Sequence, residues 1–396
     1  MFRAPILREL LEPVLAPTLG ESRTLPPEAY LSPEVFAWER ERFFEAGWVC
    51  VGRADGLATP GDQRAVRIGG EGVLLVRGED GALRGFHNAC RHRGHELLEP
   101  GGERSMRAIK CPYHAWVYGL DGRLNGAPRF SGVPGFERDA YPLLEARVAE
   151  WHGWIFVNPS GDAAPFPEYV GNLHDLVAPW EAERMRVGAV HEYVIAANWK
   201  TITENYHECY HCPSIHPALC EVTPVDSGEN FPHEGLWVGG SMELKDFAQT
   251  MSLTGASGGV RIRGLSDRQA REVYYLGLFP NLLLSLHPDY VMTHRFEPLG
   301  PGETKVVCEW LFPPEAWDLP GFSPDYAREF WDITNREDWL ACESVYRGLQ
   351  SRGFRQGPFE WSEDEVHSFM ALVARGYLDG RASAPPPAHE RVGVAS

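Results

Sequence analysis

Cys90-Arg91-His92 is followed, after 18 intervening residues, by Cys111-Pro112-Tyr113-His114, so two loops each offer one thiol and one imidazole. The surrounding sequence is turn-rich. From Gly47 to about Pro159, short β-rich runs such as Gly72-Val73-Leu74-Leu75-Val76-Arg77 are broken by glycines and by the hairpin-type turns Asp80-Gly81 and Asp121-Gly122. A small β domain with its own site is expected there. Four such ligands can hold one zinc tetrahedrally, or divide between two irons, thiolates on one and neutral imidazoles on the other. The flanks favour the second arrangement. Zinc has no need of Arg91, Arg93-Gly94 or the aromatic pair Tyr113 and Trp116, whereas cationic and hydrogen-bonding neighbours tune a cluster potential. His87 and His95 read as surface or supporting histidines of the same stretch.

A second ligand-dense segment runs from Asn198 to Pro217. A helix is expected over about 199–211. His211 and His216 are five apart, about 140° on an unbroken helix, which is poor for one metal. Pro213 cannot continue a helix comfortably, so the chain can bend and let the two imidazoles converge. Two histidines and one carboxylate with open positions form the facial triad of non-haem iron enzymes that use oxygen. Glu208, three residues before His211, lies about 60° from it on a helix and can support the ligand face. The spacing of Cys209 and Cys212 suggests a redox or zinc pair, which is discounted because His211 lies between them. His207 reads as an exposed or core histidine.

The third ligand must come from elsewhere. A long amphipathic helix over roughly 324–349 carries Asp338 on the mostly apolar stripe Trp331, Thr334, Asp338, Cys342, Val345, Leu349. An unpaired carboxylate on an inward stripe is costly unless it binds a cation. Glu337 remains open, because Phe330, Ile333 and Leu340 share its stripe.

Cys-Arg-His-Arg-Gly followed by Cys-Pro-Tyr-His-Ala-Trp resembles the cluster motif of Rieske ring-hydroxylating oxygenase α subunits. The segment Glu204 to Pro217 resembles the mononuclear-iron motif of the same family. The resemblance covers about Glu34 to Phe369. It implies an α+β chain: a β-rich Rieske [2Fe–2S] domain and a helix-grip catalytic domain with a large antiparallel sheet. It implies Cys90, His92, Cys111 and His114 as cluster ligands, and His211, His216 and, from Glu337-Asp338-Trp339-Leu340-Ala341-Cys342-Glu343, Asp338 as iron ligands. Asn205 and Tyr206 match positions that line the iron. Glu208 stands where the family usually has an aspartate connecting the two centres, a departure shared with members acting on quaternary ammonium compounds. Implied also are a homotrimer and a separate ferredoxin or flavin reductase drawing on NADH or NADPH. The segment closely resembles that of the glycine betaine monooxygenase and stachydrine demethylase branch, whose members hydroxylate an N-methyl group. Aromatic-ring or aromatic-acid hydroxylation is the alternative; a pure electron-transfer Rieske protein is a remote one.

The remaining features fit this frame. With 55 acidic and 37 basic side chains in 396 residues, the net charge of −18 argues against nucleic acid and against an anionic membrane surface. No run of 18 apolar residues predicts a membrane span. The charged start is a poor secretory signal, and eight cysteines form no dense framework, so a cytoplasmic location is expected. Expected domains are an N-terminal helical segment (1–46) packing on the catalytic domain, the Rieske domain (47–160), the catalytic domain (161–382), which opens on a polar linker to about residue 185, and a disordered tail (383–396). Thirteen Trp, 14 Tyr and 19 Phe supply material for an aromatic cage around an ammonium, with Phe231, Trp237, Tyr275 and Tyr290 as candidates.

Overall fold

The computed structural model describes residues 3–382, and the expected tail 383–396 lies outside the described residues. The chain forms two compact units, Arg40–Phe166 and, separately, Met1–Glu39 with Pro167–Ser396. The expected first segment is therefore divided. Helix α1 (Pro33–Glu39) belongs to the large unit, while Arg40–Glu45 widens into a π-helical turn that leads into the small unit. There the amide of Asn158 donates to Gly47 O at 2.9 Å, tying that entry to the last strand.

The small unit contains β1 (Val49–Arg53), β2 (Asp62–Ile68), β3 (Glu71–Arg77), β4 (Leu83–His87), β5 (Glu103–Ser105), β6 (Ile109–Lys110), β7 (Val117–Tyr118), β8 (Leu124–Gly126), β9 (Glu145–Trp151) and β10 (Trp154–Asn158). Seven pair in the order β1-β10-β9-β4-β3-β2-β5, and β6-β7-β8 form a small separate sheet. Leu74, Val76, Phe86, Ile109, Trp116, Tyr118 and Leu143 share a core with Cys90 and Cys111, so the two cysteine loops are anchored in packed hydrophobic material.

The large unit is built on an antiparallel sheet in the order β11-β17-β16-β15-β14-β13-β12. Its strands are β11 (Arg186–Ile195), β12 (Glu229–Asn230), β13 (Trp237–Glu243), β14 (Glu272–Leu278), β15 (Leu282–Leu286), β16 (Val291–Gly300) and β17 (Glu303–Phe312). The central strands are buried on both faces: every residue of β15 is buried. Helices α2 (Trp199–Tyr206), α3 (Cys212–Ile215), α4 (Asp325–Leu349) and α5 (Asp364–Asp379) complete the parts used below. Helix α4 turns Ala327, Phe330, Trp331, Thr334 and Cys342 inward. Asn335 on it meets His294 of β16 at 3.0 Å, and Asp332 takes the Tyr193 hydroxyl of β11 at 2.6 Å. This is the helix-grip arrangement.

Two expectations change. The polar linker is a run of short helical turns whose Leu173, Val177 and Trp180 are fully buried, with Trp180 Nε1 donating to His287 O at 2.8 Å. On α4, Phe330 is buried but Ile333 and Leu340 are exposed, so only the Phe330 end of the stripe they share with Glu337 faces the core. Among the described residues no helix is long and apolar enough to cross a membrane.

Candidate metal centres

In the small unit the two ligand loops close alike. Cys90 N donates to His95 O and Gly94 N to Cys90 O, both at 2.9 Å; Cys111 N donates to Trp116 O at 2.8 Å and Ala115 N to Cys111 O at 3.2 Å. Each turn needs a left-handed residue at its fourth step. Gly94 (φ 71°) adopts it without strain, whereas Ala115 (φ 58°) adopts it at some cost. This repeated turn projects each histidine beside its loop. The rings of His92 and His114 lie 4.7 Å apart, and His92 stacks on Trp116 at 5.0 Å.

The donor chemistry fits a two-iron cluster. His92 Nδ1 is buried without a hydrogen-bond partner, as a nitrogen awaiting a metal would be. A single zinc would draw four donors to within about 4 Å of one another. Among the described residues, three or more His, Cys or acidic donors converge within 4.8 Å of one another only at the second centre. Burial pushes the Cys90 thiol up, while the Tyr118 hydroxyl 3.2 Å from its sulfur favours the thiolate. His95 is exposed, and His87 lies 3.3 Å from Glu71, so both are peripheral.

The second centre arises from a break in the chain earlier than expected. Asn198 caps α2 by accepting from Lys200 N at 3.0 Å, and the helix ends at Tyr206. Glu208 and His211 therefore share a turn rather than a helix face. Glu208 Oε2 accepts from His211 N at 3.1 Å, and Oε1 lies 2.5 Å from His211 Nδ1. Pro213 sits in the first turn of α3, where its missing N–H costs nothing, so it starts a helix rather than ending one. The same turn brings Cys209 and Cys212 to a Cα separation of 4.9 Å. They form a disulfide, contrary to their dismissal as a pair.

His211 Nε2 and His216 Nε2 lie 3.1 Å apart, and Asp338 Oδ1 stands 3.4 Å from the first and 2.8 Å from the second. Spacings near 3 Å suit adjacent corners around an ion with bonds of about 2.1 Å. Each imidazole offers Nε2 because its Nδ1 meets a carboxylate: Glu208 for His211, and Glu337, at 2.7 Å, for His216. Burial opposes charge on His211, but Asp338 and Glu208 outweigh it and raise its pKa to about 9. Burial likewise opposes charge on Asp338, yet the two imidazoles hold its carboxyl below the usual range.

A cavity of about 1100 Å³ reaches this triad. Asn205 and the rings of Tyr206, Tyr275 and Trp331 form part of its wall. The Tyr206 hydroxyl is committed to the sheet, donating to Leu284 O at 2.8 Å, so Tyr206 contributes its ring. Of the four proposed cage residues only Tyr275 lines the cavity. Phe231 packs on Tyr274, Trp237 is buried with Nε1 bonded to Glu234 O, and Tyr290 stacks on His287 and donates to Met251 O. These three are structural. Sequence reasoning missed Tyr210, Trp361, Asp226, Asp364 and Glu365 of the cavity wall, which lie on separate segments and carry no local motif. Trp331 had a signal, its place on the inward stripe of α4.

With both donor sets in place on this fold, the chain belongs to the Rieske non-haem iron oxygenases, as an oxygenase subunit. Residues 47–137 match the Rieske [2Fe-2S] domain and residues 182–378 the catalytic domain of ring hydroxylating alpha subunits. Over 365 residues the chain is 30% identical to the glycine betaine monooxygenase oxygenase subunit of Chromohalobacter salexigens, covering 85% of this chain and 81% of that one. It is 31% identical over 371 residues to the carnitine monooxygenase oxygenase subunit of Escherichia coli, covering 91% and 95%. A solved quaternary ammonium Rieske monooxygenase bound to L-carnitine superposes with a TM-score of 0.76 at 27% identity, over 94% of this chain and 99% of that one. Naphthalene 1,2-dioxygenase from a Rhodococcus species, at 22% identity and a TM-score of 0.77 over 94% and 98%, shares the fold. The enzyme is thus an oxidoreductase with a [2Fe–2S] cluster and a mononuclear iron, working with O2, a small-molecule substrate and a separate reductase.

Proposed function

We propose that this oxygenase subunit hydroxylates an N-methyl group of a quaternary ammonium compound. The observation that carries the reading is the aromatic wall of Tyr206, Tyr275 and Trp331 beside the triad. Aromatic faces attract an ammonium that cannot donate a hydrogen bond. The relatives named for glycine betaine and carnitine support the same substrate chemistry.

Cys90, Cys111, His92 and His114 would hold the cluster, and His211, His216 and Asp338 the iron. Bound there, the two groups supply one-electron transfer and oxygen activation at open iron positions. The protein's own part is positional. Glu208 and Glu337 fix the two imidazoles, and the cavity wall sets the ammonium beside the triad while limiting water. The substrate gains one oxygen at a methyl carbon; O2, two electrons and two protons give the hydroxylated methyl and water. The carbinolamine then releases formaldehyde and a proton, leaving a tertiary amine.

The same reading places Glu208 as the electron route between centres, in a homotrimer where the cluster of one subunit serves the iron of the next, and puts the enzyme in the cytoplasm. A related solved quaternary ammonium Rieske monooxygenase, described in terms of inter-subunit electron transfer, supports this arrangement. The deciding experiment is a single turnover: reduce the cluster, add oxygen with an ammonium substrate, and assay formaldehyde with the demethylated amine. A hydroxylated aromatic acid, with no formaldehyde from any ammonium compound, would overturn the reading.

A further inference from the structure

We propose that the cavity selects N-methylated ammonium compounds that carry a net positive charge, and disfavours zwitterionic betaines of the same size. This deepens the N-demethylation reading and rests on it for the chemistry, though not for the binding.

Among the described residues, seven carboxylates line the cavity and no lysine or arginine does. Two of them, Glu208 and Asp338, are engaged with the imidazoles of the triad. Of the others, Glu365 lies 3.6 Å from His207 Nδ1, and Glu21, Asp226, Glu360 and Asp364 remain. Glu21 takes the Thr18 hydroxyl at 3.0 Å and Glu360 serves its own turn through Ser362, so neither is neutralised. Asp226 and Asp364 have no cationic partner among the described residues. Even with a divalent ion offsetting Glu208 and Asp338, the cavity stays strongly negative.

A substrate carboxylate held away from the iron, as it must be when the methyl group faces the triad, would lose water and meet no basic side chain in exchange, inside a field of its own sign. An ammonium gains from the same field. The cavity also offers uncharged partners for a neutral far end. Asn205, Asn230 and Ser241 lie on its surface. A volume near 1100 Å³ leaves room beyond one trimethylammonium group. Specificity therefore comes from a missing cation as much as from the carboxylates present.

Choline and glycine betaine isolate this feature, since they share a trimethylammonium group and differ in a terminal hydroxymethyl or carboxylate. Their binding to the full-length, iron- and cluster-loaded enzyme is measured anaerobically by calorimetry, and formaldehyde is then assayed after oxygen is admitted. Choline is expected to bind at least tenfold more tightly. In the double variant Asp226→Asn/Asp364→Asn, with circular dichroism and the cluster spectrum unchanged, that preference shrinks. Betaine binding equal to or tighter than choline overturns the inference, as does heat from neither ligand or an unaltered preference in the folded double variant. Tighter choline binding without formaldehyde supports charge selection and sinks N-demethylation instead.

Discussion

Glu337 and His216 form a carboxylate–imidazole pair, Oε2 to Nδ1 at 2.7 Å, while the adjacent Asp338 meets the other ring nitrogen at 2.8 Å. Neighbouring residues of one helix thus hold one imidazole from both sides. Glu337 fixes the ring so that Nε2 is the nitrogen presented to a metal. Glu337→Ala should weaken iron retention by about 10- to 100-fold in a chelator competition. Glu337→Gln should lose less, because its amide oxygen can still accept from Nδ1–H. The cluster spectrum should not change in either. Full iron retention in Glu337→Ala would show that this contact does not position the ligand.

The two metal centres draw on different units and different donors, so they should fail independently. His211→Ala removes one corner of the triad and should abolish turnover with the visible cluster spectrum intact. Cys111→Ser should bleach that spectrum while leaving iron at His211, His216 and Asp338. Metal analysis and absorption spectra of both variants test this. Loss of the cluster in His211→Ala would mean that the two donor sets do not act independently.

Much of the site could be read from residue spacing, and its errors have physical causes. The cluster motif is local, two short loops with fixed offsets. Asp338 was reachable because an ionised group on an apolar stripe demands a partner. Glu337 could not be excluded that way, since Ile333 and Leu340 are apolar yet exposed. Pro213 was read as a helix stop, but proline is equally suited to a first turn, and only the end of α2 at Tyr206 decides between them. Phe231, Trp237 and Tyr290 failed as cage residues because an aromatic in a strand carries no mark of which cavity, if any, its face of the sheet lines. The carboxylates of the cavity wall come from segments over three hundred residues apart, Glu21 and Glu365 among them.

Lys200 Nζ and Glu39 Oε1 meet at 2.6 Å with both side chains fully buried. Trp199 Nε1 donates to the other oxygen of Glu39 at 3.0 Å, and the Tyr377 hydroxyl also donates to Glu39. The pair joins α1, α2 and α5. Glu39→Ala takes away the carboxylate that the buried ammonium meets, leaving near it only Glu204, whose pKa burial raises to about 8, and should cost about 3–5 kcal/mol of stability. Glu39→Leu/Lys200→Met removes both charges and should recover most of that loss. Denaturant midpoints of the single and double variants measure it. Equal losses in both would mean that packing, not charge, dominates.

His207 supplies an acid-dependent term. Its ring is buried, packs edge-on against Tyr206 at 5.1 Å, and forms no hydrogen bond at either nitrogen. A side chain on Gly277 would run into its Nε2, so only glycine lets the ring sit there. Burial drops its pKa from 6.5 to about 3. The folded state therefore keeps His207 neutral while the unfolded chain takes up a proton as pH falls through about 6.5. Its contribution is fully present above about pH 6.5 and is lost progressively toward about pH 3, at up to about 1.4 kcal/mol per pH unit. Between pH 6.5 and 5.5 the wild type should lose about 1 kcal/mol more stability than His207→Gln, which cannot titrate. Urea unfolding of the two proteins at both pH values makes the comparison. Parallel losses would mean that the imidazole is already protonated inside the fold, with Glu365, 3.6 Å from Nδ1, as its counter-charge.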